Sequence, residues 1–458
     1  MNGASRAALA ERSARALFAI GTVALVARVA VGCASSDEGP EERPLDAPDT
    51  GSTVAPPGSE LDASVPGDAD VDANVPEKAC TEEGWCYTTL PSDDDYDASA
   101  MPALIVGAKF PLRAVWVAPD NRAWAVSKRG HVLVWDGAGS SWHVAAVVSA
   151  ELYTIWGATS NELWIGGERG SIFRGKVDGQ EITLEKVPIG TTQAIGRITG
   201  RSADDVWAIA DAQNTSSNLN RVWHYTPGDA GSSGSFVQMK VPSSFTHSSA
   251  NIRVQAIWFD ASTLWIGGYE TTSCNPIDCK FQRQLVAAKW NGETDAGPAW
   301  EHIPLIQDYS GPVSSAITSE DGVHLLAMYS EGSEARVVRI SDDESKLDAG
   351  AVDPLVPDGG IAHEGSYAWT SEIAHTFAKP YAKWALWATS NHDVWLAGWS
   401  GVVRHFDGTE WKVVPLSLAR TTPFLDDLYD IHAGPVVAGE REIWVVGDDV
   451  ALHRKVKP

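Results

Sequence analysis

A recurring tryptophan constrains this chain more than any other feature. From residue 112 onward an apolar segment, often centred on an aromatic residue, leads into a short polar turn, then a Trp with apolar neighbours, then a small residue three places later. That second-segment Trp stands at 124, 164, 207, 265, 395 and 444, at gaps of 40, 43, 58, 130 and 49, the gap of 130 holding two long repeats. Inside the unit the spacing is tighter. Trp116 precedes Trp124 by eight, the pairs Trp156 and Trp164, Thr199 and Trp207, and Trp387 and Trp395 keep that eight, and Trp258 precedes Trp265 by seven. So constant an interval implies a two-strand hairpin. Third segments end at Asp136-Gly137, Asp178-Gly179, Asn291-Gly292 and Asp407-Gly408, dipeptides that supply the positive φ of tight hairpin turns. Fourth segments carry Trp142, Trp300 and Trp411. Four short antiparallel strands at this period make a propeller blade.

Units begin near residues 112, 152, 197, 254, 314, 384 and 427, which predicts an all-β propeller of about seven four-stranded blades, with six or eight as the alternatives. In the fifth unit Leu325 and Leu326 replace the Trp, and the stretch from 345 to 380 holds its outer strand or an insertion. The seventh shows three strands. Residues 85–91, Trp-Cys-Tyr-Thr-Thr-Leu-Pro, have the character of a fourth strand, so they are expected to pair with the last unit and close the ring, removing its exposed edges. The small residues Ser127, Gly167, Ala210, Gly268, Gly398 and Gly447 are expected where strands crowd, and the Trp side chains between blades. His224, His405 and His453 recur on third strands in register, which points to packing rather than metal; no metal site or cofactor is expected.

With 60 acidic against 35 basic side chains the net charge is -25, so nucleic acid and anionic lipid surfaces are repelled. The first residues read as an export address: Arg6, Arg12 and Arg15, an apolar stretch over 16–27, and Ala30-Val31-Gly32-Cys33. That tetrapeptide resembles the bacterial lipobox, which implies a signal over 1–33, acylation of Cys33, and, from the non-acidic Ala34-Ser35 that follows, outer-membrane or cell-surface anchoring. An ordinary cleaved signal or a short anchor is the other reading. Residues 34–79, rich in Asp, Glu, Pro, Gly and Ser, are expected to form a disordered tether, leaving 80–458 as the propeller. Membrane contact is then through the anchor alone. Cys80 with Cys86 and Cys274 with Cys279 suit two disulfides of an exported protein, with zinc as the rival.

The repeats resemble those of bacterial lipoprotein propellers of the BNR-like, sialidase-like type, a resemblance that covers about residues 84–458 and implies a scaffold rather than an activity. His-Glu-x-x-His, Walker and dinucleotide-binding motifs are absent from the sequence, and Gly398-Trp399-Ser400-Gly401 is one residue short of a nucleophile elbow and reads as a turn. Turns between first and second strands are stereotyped. Loops between second and third strands vary, and they bring Lys128, Arg129, His131, Glu168, Arg169, Tyr269, Trp399, Asp448 and Asp449 to one face as candidate ligand contacts. The expected role is that of a monomeric, non-enzymatic binding module for an unknown protein or glycan. A glycan-active hydrolase or lyase, marked by convergent Arg, Glu and Tyr in a central pocket, and an envelope scaffold marked by a broad apolar patch, are the alternatives.

Overall fold

The computed structural model describes residues 80–91 and 110–457, with its longer breaks at 212–221, 273–282, 306–312 and 342–369. Seven four-stranded antiparallel sheets are arranged as blades of one propeller. From the innermost strand outward, blade 1 is Leu112–Val117, Ala123–Ser127, His131–Trp135 and His143–Val147. Blade 2 is Leu152–Thr159, Glu162–Gly167, Ile172–Asp178 and Glu181–Lys186, and blade 3 is Ala194–Ser202, Asp205–Asp211, Val222–Thr226 and Ser235–Gln238. Blade 4 is Ala250–Asp260, Thr263–Thr272, Arg283–Thr294 and Gly297–Ile303. Blade 5 is Val313–Ser319, Gly322–Met328, Glu334–Ser341 and Thr370–Ala378, so the outer strand expected within 345–380 is present. Blade 6 is Ala385–Ser390, Asp393–Ala397, Val403–Phe406 and Trp411–Val414. Blade 7 takes Leu428–Val437, Glu440–Gly447 and Val450–Val456, and its outermost strand is Cys86–Tyr87, paired through Cys86 with His453 and Tyr87 with Leu452.

The ring is therefore closed from its N-terminal side, as the sequence predicts, and the clasp is wider than one blade. Trp85 is fully buried against Trp395 of blade 6 (centroids 5.9 Å apart), and Tyr87 donates to the Leu416 carbonyl at 2.7 Å. On the other side Thr88 Oγ1 accepts from Trp142 Nε1 of blade 1 at 2.9 Å, and the Thr89 carbonyl accepts from Trp142 N. A disulfide joins Cys80 to Cys86 beneath this clasp. The second pair, Cys274 and Cys279, lies outside the described residues, as do Cys33 and residues 34–79.

Each second-strand Trp fills the seam to the following blade. Trp164 packs with Ile195, Val206 and Ala208 of blade 3, Trp395 with Ile443 of blade 7, and Trp444 with Trp135 and Trp142 of blade 1. A Trp so placed hides about 200 Å² and contributes roughly 5 kcal/mol before its ordering entropy is counted. The small residue three places on has an equally specific cause. A Cβ on Gly167, Gly268 or Gly447 would stand 2.1, 1.9 or 2.0 Å from the carbonyl oxygen of Glu151, Arg253 or Asp427, which lies just before or early in the same blade's first strand.

Inner strands leave one edge facing the channel, and its N–H groups need acceptors. Side chains of the preceding blade supply them at a fixed register: Thr154 Oγ1 accepts from Ile198 N at 3.3 Å, Ser315 Oγ from Leu386 N at 3.3 Å, and Asp430 Oδ2 from Val115 N at 3.0 Å. His432 Nδ1 adds an acceptor for Val117 N at 3.1 Å. Two faces follow from the topology. The loop face carries the second-to-third-strand loops and the blade-to-blade connections; the turn face carries the first-to-second-strand turns.

Candidate functional site

Two of the loops that vary in sequence on the loop face share one backbone. Glu168–Gly170 and Trp399–Gly401 are the same single turn, with Arg169 (φ 52°, ψ 37°) and Ser400 (φ 53°, ψ 35°) in the left-handed region. The near-elbow around Ser400 is thus a repeated turn. Hydrogen bonds lock these loops to the strand entries of their own and the next blade: Glu168 N to the Glu151 carbonyl (2.8 Å), Gly170 N to Gln193 (2.7 Å), Asp448 N to Asp427 (2.9 Å) and Asp449 N to Phe110 (2.8 Å). Over blades 7, 1 and 2 these bonds fix the described part of the face.

On this part of the face one recurring irregularity aims side chains at the channel mouth. The first strands carry a β-bulge one residue in, between Leu112 and Ala114, Leu152 and Thr154, and Leu428 and Asp430, and the residues it holds are Arg113, Tyr153 and Tyr429. The Arg113 guanidinium lies 3.8 Å from the Tyr429 ring centroid across the seam between blades 1 and 7, a cation–π contact. Tyr429 Oη donates to Asp448 Oδ2 at 3.0 Å, and Tyr153 Oη donates to Glu151 Oε2 at 2.5 Å. Lys128 Nζ stands 3.8 Å from the same Glu151 oxygen, and Glu168 Oε1 accepts from Glu151 N at 3.3 Å. Burial raises both tyrosine hydroxyls above the usual phenol range. For Tyr153 the hydrogen bond to Glu151 reinforces this and the Arg113 charge opposes it; for Tyr429 Arg113 opposes and Asp448 reinforces.

Of the residues read from sequence, Lys128, Glu168, Arg169, Asp448 and Asp449 join this band over blades 7, 1 and 2; Asp449 Oδ1 accepts from Phe110 N at 2.9 Å and Arg169 rests against Glu168 at 3.5 Å. Arg129 is half-buried, its N–H on Ser127 Oγ at 3.2 Å, and Trp399 belongs to the neighbouring turn in blade 6, where Ser400 N donates to Asp427 Oδ1 at the entry of blade 7. His131 and Tyr269, also read from sequence as ligand contacts, lie inside the blades. His131 is fully buried, 3.0 Å from Ser127 Oγ and against the Phe110 ring, and Tyr269 is buried in the ladder opposite Leu285. Sequence reasoning passed over Arg113, Glu151, Tyr153 and Tyr429.

The in-register histidines do pack on tryptophan. His224 and His405 stack on Trp207 and Trp395 at 3.9 and 3.8 Å, and each imidazole Nε2 and indole Nε1 share one carboxylate oxygen, of Asp205 or Asp393, at 2.7–2.9 Å. Burial opposes ionisation of both acids, yet those hydrogen bonds, with Arg201 on Asp205 and Thr389 on Asp393, hold them below the usual carboxylate range. His453 likewise stacks on Trp444, its Nδ1 on Glu442, without the shared indole hydrogen bond. Blade 2 substitutes Arg174, paired with Glu162 over Trp164. Among the described residues no group of three or more His, Cys, Asp or Glu could hold a metal ion.

No family model matches the sequence, and no curated protein matches it either. Among solved structures the chain is similar to YCF48 bound to D1 peptide (14% identity, 81% of this chain and 100% of that one, TM-score 0.45) and to YCF48 from Cyanidioschyzon merolae (13%, 76% and 97%, 0.47). It is also similar to the WD40 β-propeller domain of Doa1 (12%, 78% and 96%, 0.45).

Proposed function

We propose that this propeller is a non-enzymatic binding module, exported and lipid-anchored to the bacterial envelope through Cys33, that presents the Arg113, Tyr153 and Tyr429 mouth of its loop face to a protein partner. The observation that carries the reading is the preorganised band itself. Tyr and Arg are the side chains that concentrate binding energy at protein interfaces, and here their orientations are fixed before any partner arrives by the 3.8 Å stacking and by the Glu151 and Asp448 acceptors. The lipobox-like Ala30-Val31-Gly32-Cys33 and the acidic residues 34–79 support anchoring at a distance from the bilayer.

A crosslinking pull-down from the native envelope, run beside a glycan array, tests the binding reading. A protein recovered with the native chain and lost with Arg113→Ala or Tyr153→Ala supports it; no partner in either assay sinks it. Palmitate labelling abolished by Cys33→Ser supports the anchor, and unchanged labelling refutes it.

A glycan-active hydrolase has one observation in its favour: Tyr153, Glu151 and Arg113 converge at the mouth. A tyrosine nucleophile needs an activated hydroxyl, whereas burial and the Glu151 hydrogen bond raise that of Tyr153. Turnover of an aryl glycoside that disappears in Tyr153→Phe would favour this second reading.

A further inference from the structure

On the turn face, away from the mouth just described, a cavity of about 800 Å³ opens across blades 5, 6 and 7 where their first strands end. We infer that it is a second binding site, independent of the loop face, which takes an acidic, apolar-flanked peptide segment of a protein partner. Its two carboxylates are already committed. Asp393 accepts from His405, Trp395 and Thr389, and Asp407 accepts from Lys412 and from the hydroxyl and amide of Thr409 in its own turn. The lining cations Arg441 and Lys457 are then the charged groups to which an incoming anion can bind.

Two lining donors have no acceptor. Arg441 Nε and Thr318 Oγ1 are both buried without a hydrogen-bond partner among the described residues. A carboxylate entering the cavity meets the guanidinium charge and can take paired hydrogen bonds from the terminal N–H groups of Arg441. The Arg441 guanidinium also lies 5.3 Å from the ring centroid of Trp387, which holds it over the cavity and is itself buried. That arrangement leaves no open aromatic face on which a sugar ring could stack. Next to the lining Pro435, at the tip of the blade 7 hairpin that also bears Arg441, Val436 and Val437 are 44% and 49% exposed and offer apolar contacts beside the cavity. A carboxylate between apolar side chains matches this combination, and a peptide supplies both.

The test is selection of random heptapeptides by display on the full chain, followed by fluorescence anisotropy of a fluorescein-labelled winner. Enrichment of Asp or Glu beside Val, Ile or Leu is the result expected, with binding weakened tenfold or more by Arg441→Gln and by Glu→Gln or Asp→Asn in the peptide. Because Arg441 also packs on Trp387, Lys457→Gln on the exposed rim provides a variant with no fold to disturb, and it should weaken binding severalfold and flatten its salt dependence. Arg113→Ala on the loop face should leave the affinity within twofold, so failure here and failure of the loop-face reading are separate results. Three outcomes would overturn the inference: no acidic enrichment, affinity unmoved by both Arg441→Gln and Lys457→Gln, or loss of binding in Arg113→Ala. Competition by a synthetic peptide of residues 59–75 as strong as the winner's own would also overturn it, since the occupant would then be the chain's own acidic segment.

Discussion

Replacing Asp430 by Asn removes a titration from the seam between blades 7 and 1 while keeping an acceptor for the Val115 N–H, so its effect can be worked out. Burial pushes the Asp430 carboxyl up to about 6 against the pull of the Val115 and Ile431 amides and the Arg197 charge, whereas an unfolded Asp titrates near ~3.9. Between those two values the native state holds a proton that the unfolded state has released, so stability falls as pH rises through the window. About two units at ~1.4 kcal/mol each make roughly 3 kcal/mol by neutral pH. Solvent reaches part of this side chain, which makes that figure a ceiling. His432, two residues on, works in the opposite sense: burial lowers it to about 4 from its usual ~6.5, so stability is lost as pH falls from about 6.5 toward 4. In the native chain the two slopes oppose each other over roughly pH 4–6. Asp430→Asn should leave the His432 slope alone, so the unfolding free energy of the variant minus that of the native chain should climb by up to about 3 kcal/mol between pH 4 and 6.5 and then stay level. Urea unfolding followed by Trp fluorescence across that range measures it. Because Asn has one oxygen for the two amides of Val115 and Ile431, a constant offset is allowed; a difference that stays flat with pH would refute the reasoning.

Four further outcomes follow. Gly447→Ala would put a Cβ 2.0 Å from the Asp427 oxygen and should cost 2 kcal/mol or more, on the order of an overpacked core, by calorimetry. Gly439→Ala, with nothing within 4 Å and φ 81°, should cost only about 1 kcal/mol for its left-handed backbone. Cys80→Ser, which opens a loop of sequence separation 6, should lower stability by about 2 kcal/mol and make the strand at Cys86–Tyr87 the first proteolytic cut; an unchanged melting temperature would contradict this. Asp393→Asn should destabilise at pH 7 and converge with the native chain as pH falls below about 4. A carboxyl held low contributes above its unfolded value of ~3.9 and loses that contribution as it protonates, and parallel curves would argue against the shared Trp395 and His405 hydrogen bonds.

What the sequence reveals here is whatever repeats. The Trp interval, the Gly three residues later and the in-register histidines each answer to a local cause met again in blade after blade, such as the carbonyls of Glu151, Arg253 and Asp427 pressing on Gly167, Gly268 and Gly447. Even the closing strand is legible, because residues 85–91 keep the pattern of a fourth strand. The bulge is not. A one-residue slip in the ladder leaves no periodic trace, so Arg113, Tyr153 and Tyr429 look like ordinary inner-strand positions, and only the ring brings blades 7, 1 and 2 together. His131 errs in the other direction. It falls in a loop-like Lys-Arg-Gly-His run, yet Gly130 ends the turn one residue earlier and His131 opens the buried third strand. The cavity of blades 5 to 7 is non-local in the same way, drawing Thr318, Trp387 and Arg441 from three repeats.

The clasp at the ring's closure also sets an order of events in time. Its hydrogen bonds join residues 329 and 363 positions apart, Tyr87 to Leu416 and Thr88 to Ala451. Contacts of such separation repay their loop entropy only at the end of folding, when the intervening blades have already shortened the effective chain. As a polypeptide emerges N-terminus first, residues 85–91 must wait, unpaired, for nearly everything that follows them. An apolar Trp-Cys-Tyr strand waiting in that way is what a chaperone would need to shield, and a chain stalled before blade 7 should be recognised by that exposed strand.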